Sequence, residues 1–226
     1  MSPAPDLAKI RTWIFDLDNT LYPARINLFA QIDAKMSDYV ADLLACELAE
    51  ARRIQKDYFH NHGTTLSGLI AHHGVDPHHF LDYVHDIDLS VLEHDLRVVE
   101  GIAALPGRKL VFTNGDVPYA QRVLDKLGLG SAFEAIHDIH ATGYVPKPHP
   151  DAYRGLCDAY AIDPSTALFV EDMAQNLKPA KALGMTTVWV NNGSERGAHD
   201  HCESYIDIEI ADVGDWLDTL NGRLAA

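Results

Sequence analysis

Two aspartates, separated by one residue, follow an apolar run near the N-terminus of the chain. Residues 12–15 (TWIF) are typical of a buried parallel strand, and they lead directly into Asp16 and Asp18. Open parallel sheets bind ligands beyond the carboxyl ends of their strands. Two carboxylates placed there repel each other, and burial penalises their charge, so a compensating cation or a proton-transfer task is expected. Residues 18–20 (DNT) are also compatible with an ordinary turn.

A hydroxyl, an amide and a glycine follow a second predicted strand at residues 109–112. Thr113, Asn114 and Gly115 can form a small anion cradle where a strand turns into a helix. Thr113 or Asp116 can equally cap the next helix. Taken alone, these residues leave anion binding and helix capping open.

Two later segments carry charged groups that such a site would use. Lys147 lies between Pro146 and Pro148, which remove backbone donors and hold the segment extended, so the lysine is presented stiffly. Glu171 and Asp172 follow an apolar run, as the first two aspartates do. A surface lysine and a capped helix start are the alternatives. Polar groups at four predicted strand ends together favour one shared site.

Apolar runs alternate with helical patterns through most of the chain. The predicted strands are 12–16, 109–112, 135–139, 166–170, 185–190 and 206–210. Helices are predicted at 117–127, 151–160 and 174–183, and a polar loop at 191–203 precedes the last strand. This alternation predicts a parallel α/β sheet with right-handed crossovers.

Residues 23–94 break the alternation, because they contain no convincing strand pattern. One helix face is marked there by apolar residues at spacings of three and four: Phe29, Ile32, Met36, Tyr39 and Leu43. Further helices are predicted at 47–60, 65–73 and 77–84. Both ends of this segment return to the end of the first strand, so we expect a helical lid over the crevice.

Composition excludes several classes of partner. The 226 residues carry a formal net charge of −15 and no run rich in lysine and arginine, which argues against nucleic acid and anionic membranes as partners. A local cationic pocket can still bind a phosphorylated ligand. Three widely spaced cysteines, Cys46, Cys157 and Cys202, argue against a disulfide scaffold and a zinc site. Since residues 1–10 lack a signal-peptide pattern, we expect a cytoplasmic protein, either a monomer or a homodimer.

The polar segments together resemble the four-motif set of the haloacid dehalogenase superfamily. The resemblance covers about residues 12–190 and is carried by Asp16, Asp18, Thr20, Thr113, Lys147, Glu171, Asp172 and Asn176. It implies a doubly wound parallel, Rossmann-like α/β sheet with an inserted α-helical cap. Residues 1–22 and 95–226 would form the catalytic core, and residues 23–94 the cap. Residues 15–23 (FDLDNTLYP) and 58–69 (YFHNHGTTLSGL) further resemble the pyrimidine 5'-nucleotidase-like branch.

The resemblance implies a phosphomonoesterase that works through an aspartyl-phosphate. Asp16 would be the nucleophile, and Asp18 would protonate the leaving oxygen and then deprotonate water. Lys147 and Thr113 would bind the phosphate, together with the backbone amides around Asn114 and Gly115.

The implied cofactor is Mg²⁺. Asp16, the backbone carbonyl of Asp18 and the side chain of Asp172 would be its ligands, with Glu171 binding directly or through water. Glu171 stands where many members of the superfamily have an aspartate, so the acidic character is kept.

The cap loop supplies candidate substrate contacts. His62, Thr64 and Thr65 lie in the stretch that resembles the branch's substrate-facing loop, although a polar interhelical loop is an equal alternative. The histidine pairs 72–73 and 78–79 raise the alternative of a transition-metal site. Because adjacent helical residues point in different directions, we expect a solvated cap surface instead.

The expected partner is a small phosphorylated metabolite, and a nucleoside (pyrimidine) 5'-monophosphate is favoured. A phosphatase for phosphoglycolate or a sugar phosphate, a sugar-phosphate mutase and a non-enzymatic phospho-ligand sensor remain alternatives. A haloacid dehalogenase has no need of Asp18, and a sensor would be favoured by the loss of Asp16, Asp18 or Lys147, all of which are present.

Overall fold

The computed structural model describes residues 5–194 and 197–224. Predictions that concern residues 1–4, 195–196 and 225–226, at the ends of the predicted core and within the polar loop, lie outside the described residues. The described chain forms one parallel sheet with the strand order β3-β2-β1-β4-β5-β6. The strands are β1 (Thr12–Phe15), β2 (Arg108–Phe112), β3 (Ala135–His137), β4 (Ala167–Glu171), β5 (Thr186–Val190) and β6 (Ile208–Ile210). All six coincide with predicted strands to within two residues at either end.

The described part of the chain contains nine α-helices. They are α1 (Leu28–Leu44), α2 (Leu48–His62), α3 (Thr65–His73), α4 (Pro77–Val84), α5 (Leu96–Ala104), α6 (Val117–Lys126), α7 (Pro150–Tyr160), α8 (Ala174–Leu183) and α9 (Val213–Leu224). The seven predicted helices are present. The sequence patterns missed α5 and α9, which pack against each other.

Glycine explains why α5 was missed and how it packs. Gly101 lies within α5, where glycine weakens a helical sequence pattern. A Cβ atom at this position would come within 2.7 Å of the Cβ atom of Leu217 on α9. The glycine therefore permits a close approach of the two helices, at the expense of local helix propensity.

The central strand β1 has neighbours on both sides. Phe15 lies opposite Val111 of β2 and opposite Val170 of β4. The chain moves outwards from β1 through β2 and β3, then returns to β4 and moves outwards in the other direction. The strand order thus reverses beside β1, and the crevice at the carboxyl ends of β1, β2 and β4 is the place where this fold binds ligands.

Both faces of the sheet are covered, which explains why its strands read as continuous apolar runs. Trp13 and Phe15 belong to one buried layer, which also includes Leu217 of α9. Ile14 faces the opposite layer, which includes Tyr153 of α7. The two-residue alternation of β1 therefore feeds two separate cores, as a doubly wound sheet requires.

Helices α1 to α4, which we call the insert helices, lie in the chain between β1 and β2. Helix α1 packs against α2 and α4, and α2 packs against α3. Ile32 is buried, and Phe29, Met36 and Tyr39 are partly buried, as the pattern predicts. The prediction was wrong for Leu43, which is exposed in the last turn of α1. Across the described residues, we find no helix with the length and apolarity required to cross a bilayer.

Candidate active site

Asp16 emerges from β1 with both carboxylate oxygens engaged. Its Oδ1 accepts a hydrogen bond from Lys147 Nζ at 2.7 Å, and its Oδ2 accepts one from the Thr20 hydroxyl at 3.0 Å. The Thr20 oxygen in turn accepts from the backbone N–H of Asp172 at 3.1 Å. Thr20 therefore links the carboxyl ends of β1 and β4 and fixes the orientation of Asp16.

Lys147 is buried at the centre of the crevice, with only 3% of its surface exposed. Its Nζ atom donates to Asp16 Oδ1 and to Glu171 Oε2, each at 2.7 Å, and to the carbonyl of Phe112 at 2.9 Å. The Asn114 side chain holds the Lys147 backbone from both sides, since it accepts from the lysine N–H and donates to the lysine carbonyl. Lys147 is therefore a fixed, buried cation rather than a surface lysine.

Three buried carboxylates share this one lysine. Asp16, Glu171 and Asp172 each offer an oxygen, and these atoms all lie within 4.8 Å of one another. Burial, followed by the charge of Glu171, raises the pKa of Asp16 to about 7. Burial, followed by the charges of Glu171 and Asp16, raises the pKa of Asp172 well above its ordinary value. Among the described residues, negative charge thus exceeds positive charge in this cluster, and a bound cation would offset the difference.

The donor set fits a hard divalent cation. Carboxylate and amide oxygens are ligands that Mg²⁺ accepts, together with water. Asn176 lines the same cavity, and its buried Oδ1 has no hydrogen-bond partner among the described residues. A buried amide oxygen without a partner is costly unless a water or an ion satisfies it. The unpartnered amide and the excess of carboxylates among the described residues both fit a hydrated divalent cation at this place.

The Asp18 carboxylate lies apart from these three acids. Its Oδ1 accepts hydrogen bonds from the phenols of Tyr22 and Tyr119, each at 2.6 Å. Burial, followed by the charge of Asp18, raises the pKa of each phenol well above its usual range, so both phenols remain protonated and act as hydrogen-bond donors. No described residue donates to Asp18 Oδ2, and this oxygen is the one available for proton transfer.

The helix-capping alternatives are resolved by the geometry. Asp116 caps α6, because its carboxylate accepts from the backbone N–H of Tyr119 at 3.2 Å. Thr113 is not the cap; its buried hydroxyl accepts from the N–H of Gly115 at 2.9 Å. Helix α8 begins after Met173 without a side-chain cap, so Asp172 is free of that role as well.

A cavity of about 200 Å³ lies between the carboxyl ends of the strands and the insert helices. The sheet side of its wall contains the four acids, the Thr113–Gly115 turn and Lys147. The insert side is mainly apolar and includes residues of α1, α2, α3 and α4 and of the loop before α3. A ligand in this cavity would touch both the acid cluster and the insert helices.

The three predicted cap contacts do not share one environment. Thr64 and Thr65 line the cavity, but Thr64 caps α3 through the N–H of Ser67, and the Thr65 hydroxyl donates to the carbonyl of Gln55 at 3.4 Å. His62 is not one of the described residues that line the cavity. Its Nε2 lies 3.0 Å from that of His72. Of the three, the threonines therefore have access to a ligand in the cavity.

The histidine pairs lie on the surface, where each imidazole contacts another ring. His72 stacks on Tyr58, with ring centroids 5.2 Å apart, and His78 stacks on His140 at 4.4 Å. His79 contacts the Tyr39 hydroxyl at 3.0 Å. The interpretation as an exposed surface holds, although the imidazoles are ordered by their aromatic neighbours.

Several contacts of the site were not anticipated from the sequence. Tyr22 is four residues after Asp18 and within residues 15–23, so its position near Asp18 could have been predicted from the sequence. Tyr119 lies on α6 in an amphipathic pattern and gave no local signal. Asp33, Gln55 and Lys56 also line the cavity, and nothing distinguishes them from other polar residues of the insert helices in the sequence.

Comparison with known proteins agrees with this geometry. Residues 10–184 match the model of the haloacid dehalogenase-like hydrolase family. Phosphate metabolism protein 8 of Saccharomyces cerevisiae is 26% identical over 201 residues, which are 81% of this chain and 62% of the yeast protein. Glyceraldehyde 3-phosphate phosphatase of Methanopyrus kandleri is 27% identical over 223 residues, which are 90% of this chain and 91% of the archaeal protein.

A solved structure shares the fold. The crystal structure of a HAD phosphatase from Thermococcus onnurineus superposes with a TM-score of 0.63 at 20% identity, and it covers 94% of this chain and 99% of that one. The fold, the positions of the motifs and the family match over most of the chain all lead to the same family assignment. The chain belongs to the haloacid dehalogenase-like hydrolase family.

Proposed function

We propose that the protein is a Mg²⁺-dependent phosphomonoesterase that acts through an aspartyl-phosphate on Asp16. The observation that carries the proposal is the position of Lys147, whose Nζ atom bridges Asp16 and Glu171 at 2.7 Å each. Phosphoryl transfer requires an in-line nucleophile and neutralisation of the charge on the phosphate. A buried lysine that holds the nucleophile beside a cation-binding acid cluster meets both requirements.

The reaction divides into two proton-balanced steps. Asp16 attacks phosphorus while the bond to the leaving oxygen breaks, and Asp18 transfers a proton to that oxygen. Water then attacks the phosphorus of the aspartyl-phosphate, and Asp18, now ionised, takes a proton from it. Asp16 departs as a carboxylate, and inorganic phosphate is released.

Thr113 and Lys147 bind the phosphoryl oxygens in this scheme, together with the backbone amides of the Thr113–Gly115 turn. The Asn114 side chain is engaged with the Lys147 backbone, so only its backbone amide is assigned to phosphate.

The proposed metal ligands are Asp16, Asp172 and the backbone carbonyl of Asp18, with Glu171 direct or through water. Bound Mg²⁺ supplies positive charge against the phosphoryl oxygens and the carboxylates. Because the pKa of Asp16 is raised to about 7 without a cation, cation binding would also keep this nucleophile ionised.

Residues 23–94 are proposed to act as a cap, with residues 1–22 and 95–226 as the core. Support comes from the cavity, whose wall is shared between the insert helices and the strand ends. Closure of such a lid excludes water and completes a site.

The proposed substrate is a nucleoside 5'-monophosphate with a pyrimidine base. The resemblance of residues 15–23 and 58–69 to the pyrimidine 5'-nucleotidase-like branch supports it, as does the apolar insert wall, which suits a flat ring. A small-metabolite phosphatase is the second candidate, and it is favoured by the match to Glyceraldehyde 3-phosphate phosphatase along nearly the whole chain.

Phosphate release from a panel of esters tests this proposal. The panel contains UMP, CMP, AMP, glyceraldehyde 3-phosphate, phosphoglycolate, a hexose phosphate and p-nitrophenyl phosphate, each with Mg²⁺ and with excess chelator. We expect Mg²⁺-dependent release, absent in Asp16→Asn, with UMP or CMP giving the highest kcat/KM. Full activity in chelator contradicts the metal assignment. If a triose or hexose phosphate gives the highest kcat/KM, the result favours the small-metabolite phosphatase over the nucleotidase.

A further inference from the structure

The part of the cavity wall formed by α1 and α2 contains three polar residues on an otherwise apolar surface. Asp33 of α1 and Gln55 and Lys56 of α2 line the cavity beside apolar residues such as Ile32 and Met36. Polar groups next to an apolar surface are costly unless they are hydrogen-bonded. We name these three residues the insert polar cluster, and we expect them to have a function in the cavity.

The cluster is held in one geometry. Asp33 Oδ1 accepts hydrogen bonds from Gln55 Nε2 at 2.8 Å and from Lys56 Nζ at 2.6 Å. Gln55 is almost completely buried, and its Oε1 accepts from the Ser37 hydroxyl at 2.5 Å. Because the Gln55 amide is fixed at both ends, the carboxylate that it contacts has a defined orientation.

The internal contacts satisfy only part of this carboxylate. Both donors reach Oδ1, and no described residue donates to Asp33 Oδ2. The Asp33 side chain is 26% exposed and Lys56 is 42% exposed, so both reach the space that a ligand would occupy. A cluster that served only to join α1 to α2 would not need to face the cavity.

We propose that Asp33, positioned by Gln55 and Lys56, recognises the leaving group through an N–H donor on a flat heterocycle. The proposal rests on the phosphatase function and names the part of the substrate that the insert reads. Asp33 Oδ2 accepts the donor, and the Lys56 ammonium, with three N–H groups, donates to a neighbouring acceptor. Phe29 and Phe59 line the same cavity and suit the face of a ring.

The chemistry selects among the substrate classes. Uracil presents an N3–H donor between two carbonyl acceptors, which matches an acceptor beside a donor. Phosphoglycolate instead ends in a carboxylate, which has no hydrogen-bond donor for Asp33 Oδ2. A site built to bind a donor strongly rejects an analogue without it, because its own acceptor is then left unpaired.

The test compares Asp33→Asn with Asp38→Asn, an exposed aspartate on the same helix. Substrates are UMP, N3-methyl-UMP, which lacks the donor, and p-nitrophenyl phosphate, which has no base. We expect Asp33→Asn to lower kcat/KM for UMP by about 10- to 100-fold, as for loss of a hydrogen bond to a charged group. The rates with the other two substrates should change by less than about twofold, and Asp38→Asn should affect none of the three.

An unchanged preference for UMP over N3-methyl-UMP in Asp33→Asn would overturn the proposal, as would equal losses on all three substrates. If Asp33→Asn does not fold, Lys56→Gln replaces it, with an expected loss of about three- to tenfold on UMP alone.

A binding measurement separates this inference from the proposed function. UMP is titrated calorimetrically into Asp16→Asn and into Asp16→Asn with Asp33→Asn, neither of which needs turnover. Weaker UMP binding in the second protein supports recognition by Asp33 even if the wild type hydrolyses no ester. Equal binding in the two proteins contradicts recognition, whatever the hydrolytic activity.

Discussion

Tyr119 donates its phenol hydrogen to Asp18 Oδ1 at 2.6 Å, although 101 residues separate the two in the chain. The Tyr119 ring also stacks on the imidazole of His85, with centroids 4.2 Å apart and planes inclined by 12°. His85 directly follows α4, the last of the insert helices, and its Nδ1 lies 2.8 Å from Asp116 Oδ1. The proposed acid–base residue is therefore connected through one tyrosine to the C-terminal end of the last insert helix.

Tyr119→Phe should impair proton transfer while it leaves ligand binding almost intact. The phenyl ring keeps the stack on His85, but Asp18 loses one of its two phenol donors. We expect kcat for UMP to fall about tenfold, with KM changed by less than about twofold. In single-turnover release of the leaving group, p-nitrophenyl phosphate should be affected less, because its leaving group departs as a stable anion. Tyr160→Phe, outside the cavity, is the matched control, and equal defects for both leaving groups would refute a role at Asp18.

Mg²⁺ should stabilise the protein more at high pH than at low pH. An aspartate in the unfolded chain has a pKa of 3.8, whereas Asp16 in the folded protein has a pKa of about 7. The metal-free fold therefore loses stability as the pH rises through this range. Cation binding requires the ionised carboxylate, and its apparent affinity should weaken roughly tenfold for each pH unit below 7. We expect the increase in Tm with excess Mg²⁺ over chelator to be larger at pH 8 than at pH 5.5.

The comparison is made as a difference at each pH, because other groups titrate in the same range. Burial lowers the pKa of His137, so its contribution to stability is lost as the pH falls, which is the opposite direction. This contribution is common to both samples and cancels. A Mg²⁺ effect on Tm that is equal at the two pH values would contradict an acid cluster that binds protons and metal competitively.

Lys147→Met should be destabilising as well as inactive. The substitution removes the one cation that, among the described residues, is bonded to Asp16 and Glu171, and breaking a buried pair in this way costs about 3–5 kcal/mol. The loss in free energy of unfolding should be smaller at pH 5.5 than at pH 8, since protonation of Asp16 relieves part of the repulsion. Denaturant unfolding measures it, with exposed Lys9→Met as the control. A loss below about 1 kcal/mol at pH 8 would show that Lys147 does not hold the cluster together.

The strands and the acid cluster could be predicted because their signals are local. Buried parallel strands are continuous apolar runs, and Asp16, Thr113 and Glu171 follow three of them directly. Strand order at a switch point then brings these ends together. The role of Lys147 was predicted from the family resemblance, and its flanking prolines indicated only a stiff presentation. The contact that holds it, to Asn114, is a tertiary hydrogen bond without a sequence signature.

The remainder depends on packing between distant elements. Tyr119 contacts Asp18 only because the fold brings α6 to the carboxyl end of β1, and Asp33 faces the cavity only because α1 and α2 pack together there. Helix α5 was missed because Gly101, which allows contact with Leu217, weakens its helical pattern. His62 and the threonines at 64 and 65 share a loop in sequence, yet the turn after α2 directs them to different surfaces.

In the proposed mechanism Asp16 carries the phosphoryl group, and this intermediate can be trapped. Asp18→Asn lacks the base that activates water, so the aspartyl-phosphate should accumulate when this variant is mixed with p-nitrophenyl phosphate and Mg²⁺ and quenched in acid. Mass spectrometry of the digested protein should find one phosphoryl group on the peptide that contains Asp16. The same experiment on Asp16→Asn with Asp18→Asn should find none. A phosphoryl group on any other residue, or a burst of p-nitrophenol from Asp18→Asn without a phosphorylated Asp16, would contradict the account.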